Sequence, residues 1–189
     1  MDIITEKIGN DLKKTLLFLL LYATLFADAK IYIGANAGVY NESLDTSSKS
    51  ISTEIATLKV GYGDISSYGV EFSLDYVNNS SEIFHPDDGV KYGINVDLLK
   101  AFDFGLFFNP YLKGGFGAGA LKSTAKQDKK SLAYGSYNLG LGTFIPLNDN
   151  FELELGYNYR YTSYEKTTAS SSIVKSHVNT IFTGVNYRI

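Results

Sequence analysis

Residues 151–161, FELELGYNYRY, alternate without interruption between large apolar side chains and polar or small ones. Phe, Leu and Tyr occupy the odd positions, whereas Glu, Gly, Asn and Arg occupy the even positions. Successive side chains of a β-strand point to opposite faces of its sheet, so this alternation predicts a strand with one apolar and one polar face. The same pattern recurs in residues 68–76, 90–98 and 181–189.

The alternation extends through the chain after residue 29 and predicts an all-β protein. Eight strands are expected at about 30–40, 52–63, 68–77, 89–100, 107–121, 132–145, 151–161 and 176–189. Short connections at 64–67, 101–106 and 146–150 alternate with longer polar ones at 41–51, 78–88, 122–131 and 162–175. This rhythm predicts an eight-stranded antiparallel up-and-down transmembrane β-barrel, with short turns at one end and long loops at the other.

The composition excludes several kinds of chemistry. The chain has no Cys, so neither a disulfide framework nor a thiolate metal site is expected. Its formal net charge of −3 gives no reason to expect a nucleic-acid partner. Tyr (15), Phe (12) and Gly (18) are abundant, while Trp is absent, a composition that indicates β-structure rather than disorder.

The N-terminus has the features of a cleavable secretory signal peptide. Lys7, Lys13 and Lys14 form a basic region, and an uncharged apolar run covers residues 16–26. The sequence Ala27-Asp28-Ala29 then supplies an A-x-A cleavage site. A transmembrane helix is the alternative, but it needs about 20 apolar residues. We therefore expect residues 1–29 to be the signal, cleaved after Ala29, and residues 30–189 to form the barrel domain.

Glycine indicates which face of the strands points into the barrel. In the predicted strands, 12 of the 18 Gly share a face with the charged residues: Gly34, Gly38, Gly61, Gly69, Gly93, Gly115, Gly117, Gly119, Gly140, Gly142, Gly156 and Gly184. The interior of a narrow barrel has little room for side chains, whereas an outer face in water has no such shortage. The polar face is therefore predicted to be the interior and the aromatic face to meet lipid. The alternative is a soluble barrel with an apolar interior.

Three segments resemble a known family. They are residues 109–119 (NPYLKGGFGAG), residues 155–161 (LGYNYRY) and the final GVNYRI of residues 184–189. They are similar to the fifth, seventh and last strands of small OmpA-like and opacity-type outer-membrane β-barrel proteins. The resemblance implies location in the outer membrane of a diderm (Gram-negative) bacterium. It also implies contact with outer-membrane lipid and lipopolysaccharide, and recognition of the last strand by the barrel-assembly machinery. We further expect a monomer whose external loops meet an extracellular ligand or a host surface.

The predicted interior is charged but balanced. It contains five cations and five anions: Lys59, Lys91, Lys113, Arg160 and Arg188 against Glu71, Asp75, Asp97, Glu152 and Glu154. Buried charges are costly unless they are paired, and eight strands enclose a lumen just filled by side chains. The sequence therefore predicts a plug of ion pairs, with Tyr32, Tyr40, Tyr111 and Phe182 filling the remaining space.

No catalytic, cofactor or metal site is expected. Residues 115–119, GFGAG, precede no helix and so are not a dinucleotide site. His85-Pro86-Asp87-Asp88 and the loop lysines Lys126, Lys129 and Lys130 are expected to be solvated, although these lysines are also candidates for lipopolysaccharide phosphates. A structural or surface-interaction barrel is the leading hypothesis. The alternatives are a lipid A deacylase-like enzyme using His177 with Ser176 and Glu165, and a narrow channel.

Overall fold

A computed structural model describes residues 29–45, 50–78, 88–123, 131–166 and 173–189. They form eight strands in one closed antiparallel barrel, in which each strand pairs with its neighbours in sequence and β1 closes on β8. The strands are β1 (Lys30–Leu44), β2 (Ser50–Gly63), β3 (Tyr68–Val77), β4 (Asp88–Ala101), β5 (Asn109–Ser123), β6 (Ser131–Pro146), β7 (Phe151–Tyr164) and β8 (Lys175–Arg188). The predicted fold is confirmed. Among the described residues, no helix is long and apolar enough to cross a membrane.

The strand register sets the tilt of the strands. Residue pairing followed once around the barrel from Ile33 passes through Phe72 and Phe116 and returns to β1 at Ser43, ten residues further along. With strands about 4.8 Å apart and a rise of about 3.3 Å per residue, this stagger tilts the strands by about 40° to the barrel axis. Inward residues from distant parts of the sequence are therefore brought to the same height.

Three predicted strand boundaries are wrong. β5 begins at Asn109 rather than near residue 107, because Phe102 N donates to Pro110 O at 2.9 Å and closes residues 102–108 into a turn. β1 extends to Leu44 and β7 to Tyr164, past the predicted ends at 40 and 161. Hydrogen bonding between paired strands continues there although the outward side chains have become polar. We call the end with the three short connections the turn end, and the other the loop end.

The two faces of the strands are divided as the sequence predicts. Large apolar side chains cover the outside and are exposed, among them Leu58, Phe72, Ile94, Leu139 and Ile181. The charged side chains between them point inward and are buried. The soluble-barrel alternative requires the opposite arrangement, so the structure excludes it. The predicted signal peptide and its cleavage site lie outside the described residues, except for Ala29.

Glycine makes room for the interior side chains. A Cβ added at Gly61 would lie 2.1 Å from the ring of Tyr32, and one at Gly119 would lie 2.4 Å from the Tyr134 hydroxyl. Of the 12 glycines predicted to point inward, only Gly69 would accept a Cβ without an atom closer than 3.0 Å. The interior is therefore crowded, and its aromatic rings lie directly on glycine backbone.

Candidate functional site: the charged interior

Near the turn end, two glutamates and two lysines form a cluster across the lumen, in which one lysine is shared by both glutamates. Lys59 Nζ on β2 lies 3.0 Å from Glu71 Oε2 on β3 and also contacts Glu154 on β7. Lys113 Nζ on β5 lies 3.1 Å from the other oxygen of Glu71. The Tyr32 hydroxyl donates to Glu71 at 3.0 Å. These groups come from five of the eight strands, so the cluster joins opposite walls of the barrel.

A further ion pair lies at the mouth of the turn end. Arg188 Nε on β8 donates to Glu152 Oε2 at 3.0 Å, and Arg188 Nη1 donates to the carbonyl oxygen of Gly63 at 2.8 Å. Asn186 then donates to both Glu152 and Glu154, at 3.0 and 3.2 Å. This amide therefore joins the mouth pair to the shared-lysine cluster behind it.

The middle of the lumen is crossed by a single strong ion pair. Arg160 Nη2 on β7 lies 2.6 Å from Asp75 Oδ2 on β3. Thr57 Oγ1 and Asn95 Nδ2 also donate to Asp75, at 2.7 and 2.9 Å. Arg160 Nε in turn donates to Asn138 Oδ1 at 3.0 Å. Both charges are buried, and their hydrogen bonds fix the pair in one geometry.

Near the loop end, one lysine lies among three tyrosines. Lys91 Nζ is 3.1 Å from Glu42 Oε1 and donates to the Tyr40 hydroxyl at 2.7 Å. The same ammonium lies 4.6 Å from the ring centre of Tyr134 and 4.9 Å from that of Tyr164, within the range of cation–π attraction. Lys91 and Glu42 are both buried, so this cluster fills the loop end of the lumen.

A small polar cavity is lined by residues of both the shared-lysine cluster and the mid-lumen pair. Its volume is about 30 Å³, and its lining includes Asp97, Asn36 and Asn158. The side-chain oxygens of Asn36 and Asn158 are buried without a hydrogen-bond partner. One water needs about 10–15 Å³ of such volume, so the cavity has room for about two waters that could donate to these oxygens.

All five predicted interior cations point into the barrel, and each contacts a carboxylate. Four of them are buried, and Lys113 is partly buried. The predicted filling residues Tyr32, Tyr40, Tyr111 and Phe182 are also buried. The predicted charge balance is wrong, because Glu42 belongs to β1 and is buried in the interior rather than lying in the predicted 41–51 connection. With Glu42 the described interior sums to 5 − 6 = −1. The extra carboxylate accompanies a weakly bonded one, since the hydrogen bond that Asp97 Oδ1 accepts from Asn138 Nδ2 is long, at 3.4 Å.

The structure does not assemble the residues of the enzyme hypothesis. Ser176 points inward and donates to Glu42, whereas His177 points outward, because adjacent strand residues face opposite sides. His177 Nε2 lies 2.8 Å from Asp45 Oδ1, and its Nδ1 contacts the Tyr159 hydroxyl. Glu165 accepts from the backbone of Ala133 at 3.1 Å.

Within the residues that the structure describes, no group of three or more His, Cys, Asp or Glu could hold a metal ion. Residues 115–119 lie inside β5 and lead into no helix. His85, Asp87 and the lysines at 126, 129 and 130 lie outside the described residues, as does the side chain of Asp88.

A closed eight-stranded barrel with an apolar outer wall and a polar interior defines the class of transmembrane β-barrels. The chain belongs to the family described as outer membrane protein beta-barrel domain, whose model matches residues 15–188. The predicted membership of the small outer-membrane barrels is thereby confirmed, and with it a location in the outer membrane of Gram-negative bacteria. No curated protein matches the chain in sequence.

Solved structures share the fold at low sequence identity. Neisserial surface protein A superposes with a TM-score of 0.68 at 17% identity, covering 85% of this chain and 99% of that one. Ail of Yersinia pestis, solved with the heparin analogue sucrose octasulfate, superposes with a TM-score of 0.58 at 18% identity, covering 85% of this chain and 99% of that one. OprG of Pseudomonas aeruginosa superposes with a TM-score of 0.51 at 15% identity, covering 85% of this chain and 95% of that one.

Proposed function

We propose that this protein is a surface barrel with a closed lumen, which acts through its loop end and conducts no steady ion current. The observation that carries the proposal is that every buried cation of the described interior contacts a carboxylate. A conducting pore keeps charged groups hydrated along a continuous path. Here ion pairs lie at the turn end, in the middle and near the loop end of the lumen, and the small polar cavity has room for only about two waters. Eight strands enclose a lumen that side chains can fill, whereas the wide aqueous channels of porins are enclosed by about 16–18 strands.

Planar-bilayer recording tests the closed lumen. We expect the purified wild-type protein to give no steady conductance. Arg160→Ala removes the mid-lumen pair and should produce brief openings, whereas Lys100→Ala, which alters a lysine lying over the ring of Tyr68, should remain silent. Steady, porin-sized conductance from the wild type would contradict the proposal and favour the channel alternative.

The orientation of the barrel in the outer membrane can be tested by chemical labelling of its exposed lysines. Lys122, Lys166 and Lys175 are exposed at the loop end, and Lys30 is exposed at the turn end. Barrels of this class place short turns in the periplasm and long loops outside. An impermeant amine reagent applied to intact cells should therefore modify the first three lysines and leave Lys30 unmodified. Labelling of Lys30 alone would indicate the opposite orientation, with the turn end outside the cell.

We infer that the loop end binds a ligand or a host surface. Ail was solved with a sulfated sugar, so sucrose octasulfate is a suitable first probe. The loop cations Lys126, Lys129 and Lys130 are the proposed contacts, because charge-assisted hydrogen bonds hold sulfate as they hold phosphate. Replacing all three with Gln should abolish salt-sensitive binding of the probe, whereas Lys30→Gln should not. Equal binding by both variants would exclude this loop as the contact.

We further propose that the protein is not an enzyme and that cleavage after Ala29 releases residues 30–189. The opposite orientations of Ser176 and His177 support the first point, because a nucleophile and its base must be within hydrogen-bond reach. Incubation with radiolabelled lipopolysaccharide should release no fatty acid.

N-terminal sequencing of the protein from outer membranes should begin at Lys30. An intact Met1 would contradict the proposed cleavage after Ala29.

A further inference from the structure

The turn between β4 and β5 differs from the other two short turns in its apolar surface. Residues 102–108 read FDFGLFF, whereas the other turns read DISS at 64–67 and LNDN at 147–150. Phe104 is 67% exposed, Leu106 53% and Phe107 76%. In the first turn, by contrast, Ile65 packs against the buried cluster of Leu99 and Tyr111. Only the 102–108 turn presents several large apolar side chains together.

The geometry of this turn holds the apolar side chains in place. The Asp103 carboxylate accepts a hydrogen bond from Gly105 N at 2.8 Å. Gly105 has φ of 68°, a left-handed conformation that favours glycine. The rings of Phe102 and Phe104 are stacked with centres 6.0 Å apart, and those of Phe107 and Phe108 meet edge-to-face at 4.9 Å. The turn is therefore a compact apolar projection rather than an extended loop.

The apolar projection is continuous with the lipid-facing wall. Lys100 Nζ lies 4.1 Å from the ring centre of Tyr68, an exposed residue of the outer wall, and 5.7 Å from that of Phe102. Aromatic rings with a nearby lysine are typical of the boundary between acyl chains and headgroups. The lysine can reach lipid phosphates while its alkyl chain lies along the rings.

We propose that residues 102–108 form a membrane anchor that inserts into the periplasmic leaflet beside the barrel. Its occupant is lipid, with acyl chains around Phe104, Leu106 and Phe107 and phosphate groups near Lys100. Exposed apolar rings are unfavourable in water, and lipid removes that penalty without a protein partner. Residues 102–108 therefore lie more deeply in the membrane than the two polar turns do.

Tryptophan fluorescence tests the anchor, because the chain contains no Trp of its own. Each of three variants carries a single Trp: Phe107→Trp on the anchor, Leu147→Trp on the third turn and Phe72→Trp on the lipid-facing wall. Phe107 and Leu147 are both exposed at the turn end, so they form a matched pair. The proteins are purified from outer membranes and reconstituted in dioleoylphosphatidylcholine vesicles, or in the analogue brominated on its acyl chains.

We expect Phe107→Trp to emit at short wavelength and to lose most of its emission in the brominated vesicles, as Phe72→Trp does. Leu147→Trp should emit at long wavelength and keep most of its intensity. Long-wavelength, unquenched emission from Phe107→Trp would overturn the proposal. So would short-wavelength emission without quenching, which would indicate a second copy or another protein on the turn. Equal quenching of Phe107→Trp and Leu147→Trp would overturn the distinction between the turns.

Discussion

Gly119 lies inside the barrel at a position where no side chain fits. Its missing Cβ would lie 2.1 Å from Tyr92 O and 2.4 Å from the Tyr134 hydroxyl. Backbone cannot move away without breaking the pairing of β4 and β5. We therefore expect Gly119→Ala to lower the free energy of unfolding by about 1–3 kcal/mol, as overpacking does elsewhere. Urea titration of the protein in lipid vesicles measures the change.

Gly135 provides the matched control on the neighbouring strand. It points outward, has no atom within 4 Å of its missing Cβ, and is not among the residues with positive φ. Gly135→Ala should therefore be neutral or stabilise the protein by about 0.4–1 kcal/mol, since alanine restricts the unfolded chain. Equal destabilisation by both substitutions would show that glycine is required by backbone conformation and not by the volume of the lumen.

At the scale of the strand, alternation assigns each position either to lipid or to the lumen. Leu139 lies in the middle of β6 and is 64% exposed on the outer wall. We expect Leu139→Arg to lower the free energy of unfolding by about 2–4 kcal/mol, because the arginine is placed in the apolar part of the bilayer. Folding titrations into vesicles of defined thickness measure this quantity.

Leu147 is the control for Leu139. It is 57% exposed on the third turn, where an arginine reaches water and headgroups. Leu147→Arg should therefore change stability by less than about 1 kcal/mol, the value for positions near the interface. If Leu139→Arg were as mild as Leu147→Arg, the wall at Leu139 would not face acyl chains.

At the scale of the whole molecule, ion pairs connect strands that are far apart in the sheet. Arg160 on β7 and Asp75 on β3 are four strands apart in a barrel of eight, so their 2.6 Å contact spans the lumen. Arg160→Met or Asp75→Asn alone should cost about 3–5 kcal/mol, because each leaves a buried charge without its partner. The double variant should lose about 0.5–3 kcal/mol less free energy of unfolding than the two single variants lose together. Urea titration of the four proteins in lipid vesicles measures these values.

A second double-mutant cycle, which combines Asp75 with a residue on the outer wall, is the control for this pair. Lys100 lies over the ring of Tyr68 on the outer wall, whereas Asp75 is buried inside the lumen. Lys100→Met combined with Asp75→Asn should therefore be additive in unfolding free energy. Additivity of Arg160→Met and Asp75→Asn as well would mean that the mid-lumen pair contributes nothing to joining the two walls.

The sequence by itself determined the strands, their number and the two faces. Alternation is a local property: each residue's side follows from its neighbours, and this holds wherever the strand lies. Gly61 and Gly119 could be assigned inward on that basis, because they share a face with charge. The family followed as well, since its motifs are contiguous segments such as residues 109–119. For the same reason, the five predicted interior cations are the ones found inside the barrel among the residues that the structure describes.

Only the tertiary structure decided which charges meet and where the strands end. The pairing of Lys59 with Glu71 and Glu154, or of Arg160 with Asp75, depends on a stagger of ten residues around the barrel, which no local pattern encodes. Glu42 was missed because β1 continues beyond its apolar outward residues, held by backbone pairing with β2 and β8. Side-chain alternation reports the face that meets lipid, whereas strand length and lumen contacts are set by hydrogen bonds between distant segments.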